Sequence, residues 1–431
     1  MNTPVANSEL SRRSFLLRGA ALGGALLSGM TMSASARIAS TQWQNLSARL
    51  SGYVGPKFAP GLVALTDHGM DVETVVLGKI ALDGAPMQRD TIFRIASMTK
   101  PITAAGVMML IEDGKLKIDE PVERLLPELA NRRVLNRMDA ELNDTVASKR
   151  PITVEDLLTF RCGWGMVPAL LGKETPFQKR VAELGIVGFG PPAPDMPLNS
   201  DQWMQKLAEL PLIAQPGEAW LYTAGSNIQG VLVERASGQK FSDFLRERIF
   251  EPLGMKDTAF WVPPDKIERL ADAYQEKDGQ LAIFDPAKAG DWSKPPVFEA
   301  GDSGLDSTAD DYLAFCRMLL SGGQYNGKAL LSPASVRAMT TNYLTDKQRA
   351  DGAPILAPGR GWGYGMSVVV DQTQGGPPPG SFGWNGGFGT SNINDPANNL
   401  VLILLTQHVF QSPDGDPIHA DYQAAAYRAI K

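Results

Sequence analysis

The sequence is poor in the side chains that most often hold metals. It contains only three histidines, and no two of them are spaced to share one helical turn. It has only two cysteines, Cys162 and Cys316, and they form no Cys-x-x-Cys pair. A zinc centre and a histidine-dependent catalytic serine are therefore both disfavoured. We expect a protein that works without a metal or another cofactor.

Excess positive charge and internal repetition are absent as well. The chain has 41 lysines and arginines against 47 aspartates and glutamates, which gives a formal net charge of −6. Nucleic-acid-binding domains usually carry a basic surface, so we expect no nucleic-acid partner. The 431 residues show no repeat of fixed period, and their 43% hydrophobic content is enough for one large core. The expected partner is a small molecule, and the sequence leaves the oligomeric state open.

The two cysteines allow two interpretations. Cys316 lies in the apolar helical pattern YLAFCRMLL, which indicates a buried free thiol. This is the simpler interpretation. An exported protein could instead join Cys162 and Cys316 in a disulfide.

The N-terminal residues have the order of a twin-arginine signal peptide. Arg12 and Arg13 precede an apolar run over about 19–32 and then an Ala-x-Ala cleavage pattern at 34–36. We expect residues 1–36 to be removed and the mature chain, 37–431, to reach the periplasm or the exterior. The apolar run is too short to leave a stable membrane span after processing. An uncleaved amphipathic or anchoring helix is the alternative.

Apolar and β-branched runs at both chain ends predict an antiparallel sheet. GLVALTD and VETVVLGKIAL, joined by a turn at 68–71, form a hairpin pattern. Near the C-terminus, GWGYGMSVVVD, GSFGWNGGFGTSNIN and NLVLILLTQ indicate three more strands, and DYQAAAYRAIK a final helix. We expect one α+β catalytic unit. Its sheet comes from 37–95 and 300–431 and carries flanking helices, and a mostly helical region, 96–299, is inserted between them.

Local signals place some of the helices. Thr153 opens TVEDLLTF as an N-cap, and Ser332 followed by Pro333 opens another helix. In SNIQGVLVERASG the apolar positions have helical spacing, and Gly238 is a stop signal.

A serine and a lysine stand three positions apart at the start of an apolar segment, RIASMTKPITAAGVMML. On a helix that begins near Ser97, the side chains of Ser97 and Lys100 lie on one face and within reach of each other. Pro101 is compatible with the first turn of such a helix, where N–H groups lack intrahelical partners. The helix continues to about Asp113 and is apolar nearly all round, so we expect it to be buried.

Burial would give this pair a chemical use. A serine hydroxyl becomes a nucleophile when a neighbouring base takes its proton. Lysine is such a base only in its neutral form, which an apolar environment and the N-terminal end of a helix dipole both favour. The N–H groups that are free at a helix start can bind a developing oxyanion. The pair is therefore a candidate for acyl transfer through a covalent intermediate. A chance occurrence of the spacing, which a chain with this many serines and lysines produces about once, is the alternative.

Other serine motifs in the chain are weaker candidates. A second S-x-x-K copy, from Ser237 to Lys240, stands at the polar end of a helix and contains Gly238, so we interpret it as a cap and a surface lysine. The segment GDSG at 301–304 resembles the nucleophile motif of trypsin-like proteases, but no histidine is suitably placed for that mechanism. No G-x-S-x-G elbow of an α/β-hydrolase occurs.

Longer segments carry a family resemblance. FRIASMTKPIT resembles the first motif of class C β-lactamases, penicillin-binding proteins and family VIII carboxylesterases. The resemblance continues in the usual order of that group through ITVEDLLTFRCGWG, PGEAWLYTAGSNIQGVLVERASG, GDSGLDSTADDYLAFCRMLLSGG and FGWNGGFGTSNINDP. It covers most of the mature chain. It implies a serine hydrolase with an antiparallel sheet, packed helices and a helical region, in agreement with the pattern above.

The resemblance implies a role for each residue of the first two motifs. Ser97 is the acylated nucleophile and Lys100 is its partner. Tyr222, in WLYTAGSN, falls on the second-motif tyrosine, which relays protons between the nucleophile, the lysine and the leaving group. Whether Lys100 or Tyr222 is the general base stays open.

The third motif bears on the substrate. By the resemblance, Trp384, Asn385 and Gly386 form the substrate-binding motif, and Gly387 supplies the second oxyanion N–H. The β-lactamases have lysine where Trp384 stands, and asparagine two positions after the tyrosine, where this chain has Ala224. Both departures are closer to the carboxylesterases, and Trp384 in place of the lysine removes a cation that would bind a substrate carboxylate.

The favoured function is an exported serine hydrolase that cleaves small carboxylic esters. Attack on an amide, as in a β-lactam or a D-amino peptide, is the first alternative, because the Ser97 chemistry suits it too. Acyl transfer to an acceptor other than water is a variant of the same mechanism. A non-catalytic module related to penicillin-binding proteins is the last alternative.

Overall fold

The computed structural model describes residues 34–69, 71–189, 192–410 and 416–430, with the backbone alone for 34–42. The predicted signal peptide, 1–36, lies outside these ranges except for its last three residues, which stand at the start of the first helix. Within the described ranges, no helix combines the length and the apolar composition that crossing a bilayer requires.

Helices and strands alternate irregularly along the described residues. The α-helices are α1 (Ala34–Ser51), α2 (Thr99–Glu112), α3 (Val154–Leu158), α4 (Pro176–Leu184), α5 (Ser200–Ala208), α6 (Ala224–Ser237), α7 (Phe241–Leu245), α8 (Glu251–Leu253), α9 (Ala309–Leu320), α10 (Pro333–Met339), α11 (Asp346–Asp351) and α12 (Pro417–Ala429). The strands are β1 (Gly61–His68), β2 (Asp71–Gly78), β3 (Phe93–Arg94), β4 (Arg133–Leu135), β5 (Thr145–Ala147), β6 (Ala273–Lys277), β7 (Gln280–Asp285), β8 (Asp306–Ser307), β9 (Gln324–Tyr325), β10 (Lys328–Ala329), β11 (Arg360–Trp362), β12 (Ser367–Val369), β13 (Phe382–Gly383), β14 (Asn385–Gly386), β15 (Thr390–Asp395) and β16 (Leu400–Thr406).

The two ends of the chain build one antiparallel sheet of eight strands, which confirms the predicted α+β fold class. Its order is β11-β12-β13-β15-β16-β1-β2, and β14 pairs with β15. The pairing of β1 with β16 joins the N-terminal and C-terminal parts, with Leu62 opposite Thr406 and His68 opposite Leu400.

Alternate side chains of the central strands enter two different cores. Val63 and Leu65 belong to the larger core, which contains α2, α6 and α9, whereas Leu62 and Ala64 belong to a smaller core with α1 and α12. The sheet is therefore covered on both faces. This explains why β1 is apolar over most of its length instead of alternating.

The C-terminal strands are shorter than their sequence patterns indicate. GWGYGMSVVVD forms two strands, β11 and β12, because Gly365 turns the chain with a φ of +75°. A Cβ at Gly365 would also lie 2.6 Å from the Ala104 Cβ, so this turn packs closely on α2. Two hairpins that were not predicted, β4–β5 and β6–β7, lie in the mostly helical middle of the chain.

A short antiparallel ribbon of β3 and β8 fixes the backbone in front of α2. The Ile95 N–H donates to the Leu305 carbonyl at 3.0 Å, and the Leu305 N–H donates to Thr99 Oγ1 at 3.2 Å. The residues on either side of Ser97 are thus bonded to the same neighbouring segment.

Asp306 of this ribbon has no exposed surface, and neither carboxylate oxygen has a hydrogen-bond partner among the described residues. Its cross-strand neighbour Arg94 donates instead to Asp285 and to the Ala271 carbonyl. Burial raises the pKa of Asp306 well above the ordinary aspartate range, and the charge of Arg94 opposes this only in part. The folded protein therefore holds a proton on Asp306 to a higher pH than the unfolded chain does.

We expect Asp306→Asn to stabilise the protein at neutral and alkaline pH. Because the pKa of Asp306 is raised by folding, the unfolding free energy of the wild type falls as the pH rises above the ordinary aspartate range, and the variant lacks this contribution. Thermal unfolding should give the variant a higher Tm at about pH 8, with the difference shrinking toward about pH 4.

The control for this measurement is Asp310→Asn, at an exposed ion pair with Arg89, which should change the Tm little at either pH. An Asp306→Asn variant no more stable than the wild type at the higher pH would contradict a protonated Asp306.

Candidate active site

The predicted serine–lysine pair is in direct contact. Ser97 lies in a 3₁₀ turn, Ala96–Met98, that leads into α2. Lys100 Nζ donates to Ser97 Oγ at 2.8 Å and to the Asp302 carbonyl at 2.7 Å. The Lys100 side chain is buried, with 1% of its surface exposed, and it forms no ion pair within the described residues. Its amine is therefore held against the hydroxyl by neutral groups, an arrangement suited to proton transfer between the two.

A strained turn positions Tyr222. Thr223 has a φ of +84° and a ψ of −49°, and the Ala224 N–H donates to the Tyr222 carbonyl at 3.3 Å, which makes a γ-turn. Backbone bonds of 2.8 and 3.1 Å join Tyr222 to Met166 in both directions. The tyrosine ring lies under the amine of Lys100, with Nζ 4.7 Å from the ring centroid. Such a strained conformation persists only where neighbours hold it.

Asp302 connects the lysine to the tyrosine turn. Its carboxylate accepts hydrogen bonds from Thr223 Oγ1 at 2.8 Å and Ser303 Oγ at 2.7 Å, and its N–H donates to Asn227 Oδ1 at 3.1 Å. Its carbonyl is the second acceptor of Lys100. Asp302 lies in the GDSG segment. This segment resembles a protease nucleophile motif, but no histidine is placed to serve that mechanism. Ser303 itself is buried and bonded to Asp302, so this segment supports the site from behind.

Trp384 contacts the predicted proton relay directly. Its indole Nε1 donates to Tyr222 Oη at 2.7 Å. The two rings belong to an aromatic cluster with Trp220, Trp362 and Phe160. The indole N–H of Trp220 and that of Trp362 are buried without an acceptor among the described residues. Trp384 is therefore the tryptophan of this cluster that orients the Tyr222 hydroxyl.

Strand β14 lies beside the backbone of the nucleophile. A Cβ at Gly386 would lie 2.2 Å from the Ile95 carbonyl oxygen, which also accepts from Thr390 Oγ1 at 3.2 Å. Only glycine allows this approach. Gly387, by contrast, has open space where a Cβ would be, so its backbone faces the cavity.

One cavity of about 430 Å³ brings most of the predicted residues together. It is lined by Ser97, Tyr222, Trp384, Asn385 and Gly387. Two further predicted residues lie outside its lining: Lys100 is buried beside Ser97, and Gly386 packs on the Ile95 backbone. A larger cavity, of about 680 Å³ and lined partly by charged side chains, contains none of the predicted residues.

The remaining sequence candidates lie outside the reactive centre. Cys162 and Cys316 are free and buried, as the simpler interpretation expected. Burial raises the pKa of the Cys162 thiol to about 12, which keeps it protonated and unreactive. Ser237 ends α6, Gly238 caps that helix in the left-handed conformation, and Lys240 is exposed.

Comparisons with known proteins show the family of the chain. The Beta-lactamase family model matches residues 56–427. An uncharacterized protein of Mycobacterium tuberculosis is 40% identical over 333 residues, which covers 75% of this chain and 79% of that protein. Esterase EstB of Burkholderia gladioli is 31% identical over 367 residues, or 80% of this chain and 84% of EstB.

A solved structure has the same fold. It is EstCE1, described as a hydrolase with promiscuous acyltransferase activity. The TM-score is 0.73 at 23% identity, and the match covers 91% of this chain and 99% of the other. Together with the family match over 56–427, these likenesses show that the chain belongs to the beta-lactamase family and is a serine hydrolase related to its esterases.

Proposed function

We propose that the protein is an esterase that hydrolyses small carboxylic esters through an acyl-enzyme on Ser97. The observation that carries this proposal is the 2.8 Å contact between Lys100 Nζ and Ser97 Oγ at the edge of a closed apolar core. A hydroxyl in direct hydrogen-bond contact with a buried amine is an arrangement that can activate a serine without histidine. The likeness to Esterase EstB supports the ester as the bond attacked.

The steps follow from the positions of the groups. Ser97 Oγ attacks the ester carbonyl carbon while its proton passes to Lys100 Nζ, and the N–H groups of Ser97 and Gly387 bind the oxyanion. The carbon–oxygen bond to the alcohol then breaks, and the departing oxygen takes the proton back through Lys100 and Tyr222. A water molecule then attacks the acyl carbon of the acyl-enzyme through the same proton transfers. The bond from that carbon to Ser97 Oγ breaks, which releases the acid and restores the Ser97 hydroxyl.

Trp384 and Tyr222 have a joint role in this mechanism. Because the indole N–H donates to Tyr222 Oη, the tyrosine's own proton points away from Trp384 and is free to be donated elsewhere. That orientation suits donation to a leaving group. The indole thereby takes over a hydrogen bond that a cationic side chain could make, without placing a charge at that position.

The acyl acceptor is a second question about the same site. EstCE1 is a hydrolase with promiscuous acyltransferase activity, and its likeness to this chain supports testing alcohols as acceptors beside water. Amides and β-lactams belong to the same test, because they react through the same tetrahedral intermediate.

Ser97→Ala should abolish hydrolysis of p-nitrophenyl butyrate, with kcat/KM reduced by about a thousandfold or more, because the variant has no hydroxyl in contact with the Lys100 amine. The matched control is Ser237→Ala in the second S-x-x-K copy, which should keep wild-type kinetics because Ser237 lies at the far end of α6. Undiminished activity of the Ser97 variant would reject the mechanism. Parallel assays with a chromogenic cephalosporin show whether a lactam is the better substrate.

Trp384→Phe removes the hydrogen bond to Tyr222 and should lower kcat for the same ester by about 3- to 10-fold, the usual size of one neutral hydrogen bond. The change should appear in kcat and in its pH profile more than in KM, since the bond acts on a proton donor.

Trp220→Phe is the matched control for Trp384→Phe, because its buried indole N–H has no acceptor among the described residues and no hydrogen bond is lost. Equal losses of kcat in the two variants would show that only aromatic packing matters at Trp384.

We also propose that the protein is exported by the twin-arginine route, from the sequence of residues 1–36. Changing both Arg12 and Arg13 to lysine should leave the chain unprocessed in the cytoplasm, while the wild-type chain is recovered shorter in the periplasmic fraction. Immunoblots of the two fractions measure this. A wild-type chain that stays in the cytoplasm at full length would reject export.

A further inference from the structure

The cavity that contains Ser97 is also lined by polar side chains that the proposed mechanism does not use. They are Arg360 at the start of β11, Ser367 at the start of β12, and Gln423 on α12. None of these three side chains has a hydrogen-bond partner among the described residues. They leave a cation and further hydrogen-bonding groups facing the same space as the nucleophile.

Arg360 differs from the other described arginines because it is partly buried and yet has no hydrogen-bond partner among the described residues. Among the residues whose side chains are described, every other arginine that is not fully exposed donates to a carboxylate, a carbonyl or a hydroxyl, as Arg94 and Arg317 do to Asp285 and Asp67. Arg337 and Arg428 also lack partners, but both are exposed to water. Arg360 is partly buried, and no carboxylate offsets the loss of its hydration.

The surroundings of Arg360 explain why no internal partner is available. The titratable side chain that acts on the charge of Arg360 is Tyr427, whose hydroxyl donates to Asp395 Oδ2 at 2.8 Å. Asp395 is itself occupied by the N–H groups of Ala397 and Asn398 in the turn after β15. Burial lowers the pKa of Arg360 to about 10, so the guanidinium stays charged at neutral pH.

We propose that Arg360 binds a free carboxylate on the substrate, so that the preferred ester carries an anionic group at the end away from the bond that is cleaved. This inference rests on the proposed esterase function and deepens it by naming a substrate class. The planar guanidinium fork matches a carboxylate, and the Ser367 hydroxyl and Gln423 amide offer further donors.

The apolar part of the cavity lining bears on the rest of the substrate. Ile355, Pro358, Ile393 and Phe410 belong to this lining, so we expect an apolar chain to join the carboxylate to the reacting ester. Trp384 stands where the related β-lactamases have the lysine of the third motif. In this chain Arg360, on strand β11, places a cation in the lining of the same cavity.

The test compares two esters that differ only in charge. They are the mono-p-nitrophenyl ester of adipic acid and the same ester with its free carboxylate capped as a methyl ester, with the succinate and sebacate pairs as shorter and longer chains. For at least one chain length the wild type should favour the free acid in kcat/KM by about 10- to 100-fold, the range for one charged hydrogen-bonded contact.

Arg360→Gln should lower that ratio to about 1, mainly through KM, and Arg360→Lys should keep part of it, because a point charge binds a carboxylate without the bidentate geometry. Arg337→Gln, at an exposed arginine without a partner, should keep the wild-type ratio. Added salt should also lower the wild-type ratio toward 1.

The outcomes separate the two proposals. A wild-type ratio near 1 at every chain length, or a ratio that Arg360→Gln leaves unchanged, overturns the inference while Ser97-dependent hydrolysis stands. Hydrolysis that survives Ser97→Ala overturns the esterase mechanism instead. If Arg360→Gln does not fold, the Arg360→Lys ratio and the salt dependence decide, and the absence of any change in both overturns the inference.

Discussion

The contact between the Lys100 amine and the Ser97 hydroxyl is the interaction on which the rest of the site depends. It requires an amine inside the protein, at the first turn of a helix buried along nearly its whole length. Removing an amine from water is unfavourable unless its hydrogen bonds are satisfied. Two neutral oxygens and the face of Tyr222 provide these contacts.

Backbone strain accompanies this arrangement and is held by tertiary contacts. Ala96 has a φ of +43° immediately before Ser97, and Thr223 has a φ of +84° immediately after Tyr222. Both are non-glycine residues in conformations that L-amino acids disfavour. The β3–β8 ribbon and strand β14 fix the first of these turns, and Asp302 and Met166 fix the second. Functional sites are where such strain is usually retained.

Those parts of the protein that depend on local sequence could be predicted. The caps at Thr153, Ser332 and Gly238 were correct, because a cap depends on its own few residues. The pairing of the chain ends followed from apolar runs that only a doubly covered sheet accommodates.

The supporting residues of the site could not be predicted in the same way. Asp302, Asn227 and Trp362 act through partners far away in sequence, and no local pattern marks them. Arg360 is the first residue of a strand, where a polar residue is ordinary. Only the tertiary structure shows that it lines the cavity of Ser97 without a partner among the described residues. The predicted role of Trp384 as a substrate contact missed its bond to Tyr222 for the same reason.

The most direct test of the central claim is the rate at which a fluorophosphonate labels Ser97 in Lys100→Met compared with the wild type. Methionine fills the space of the lysine chain without an amine, so the core should remain folded. The account predicts labelling slower by about 100-fold or more with an unchanged Tm, since general-base assistance is worth about that much. Labelling at the wild-type rate would contradict the claim that the buried amine activates the serine.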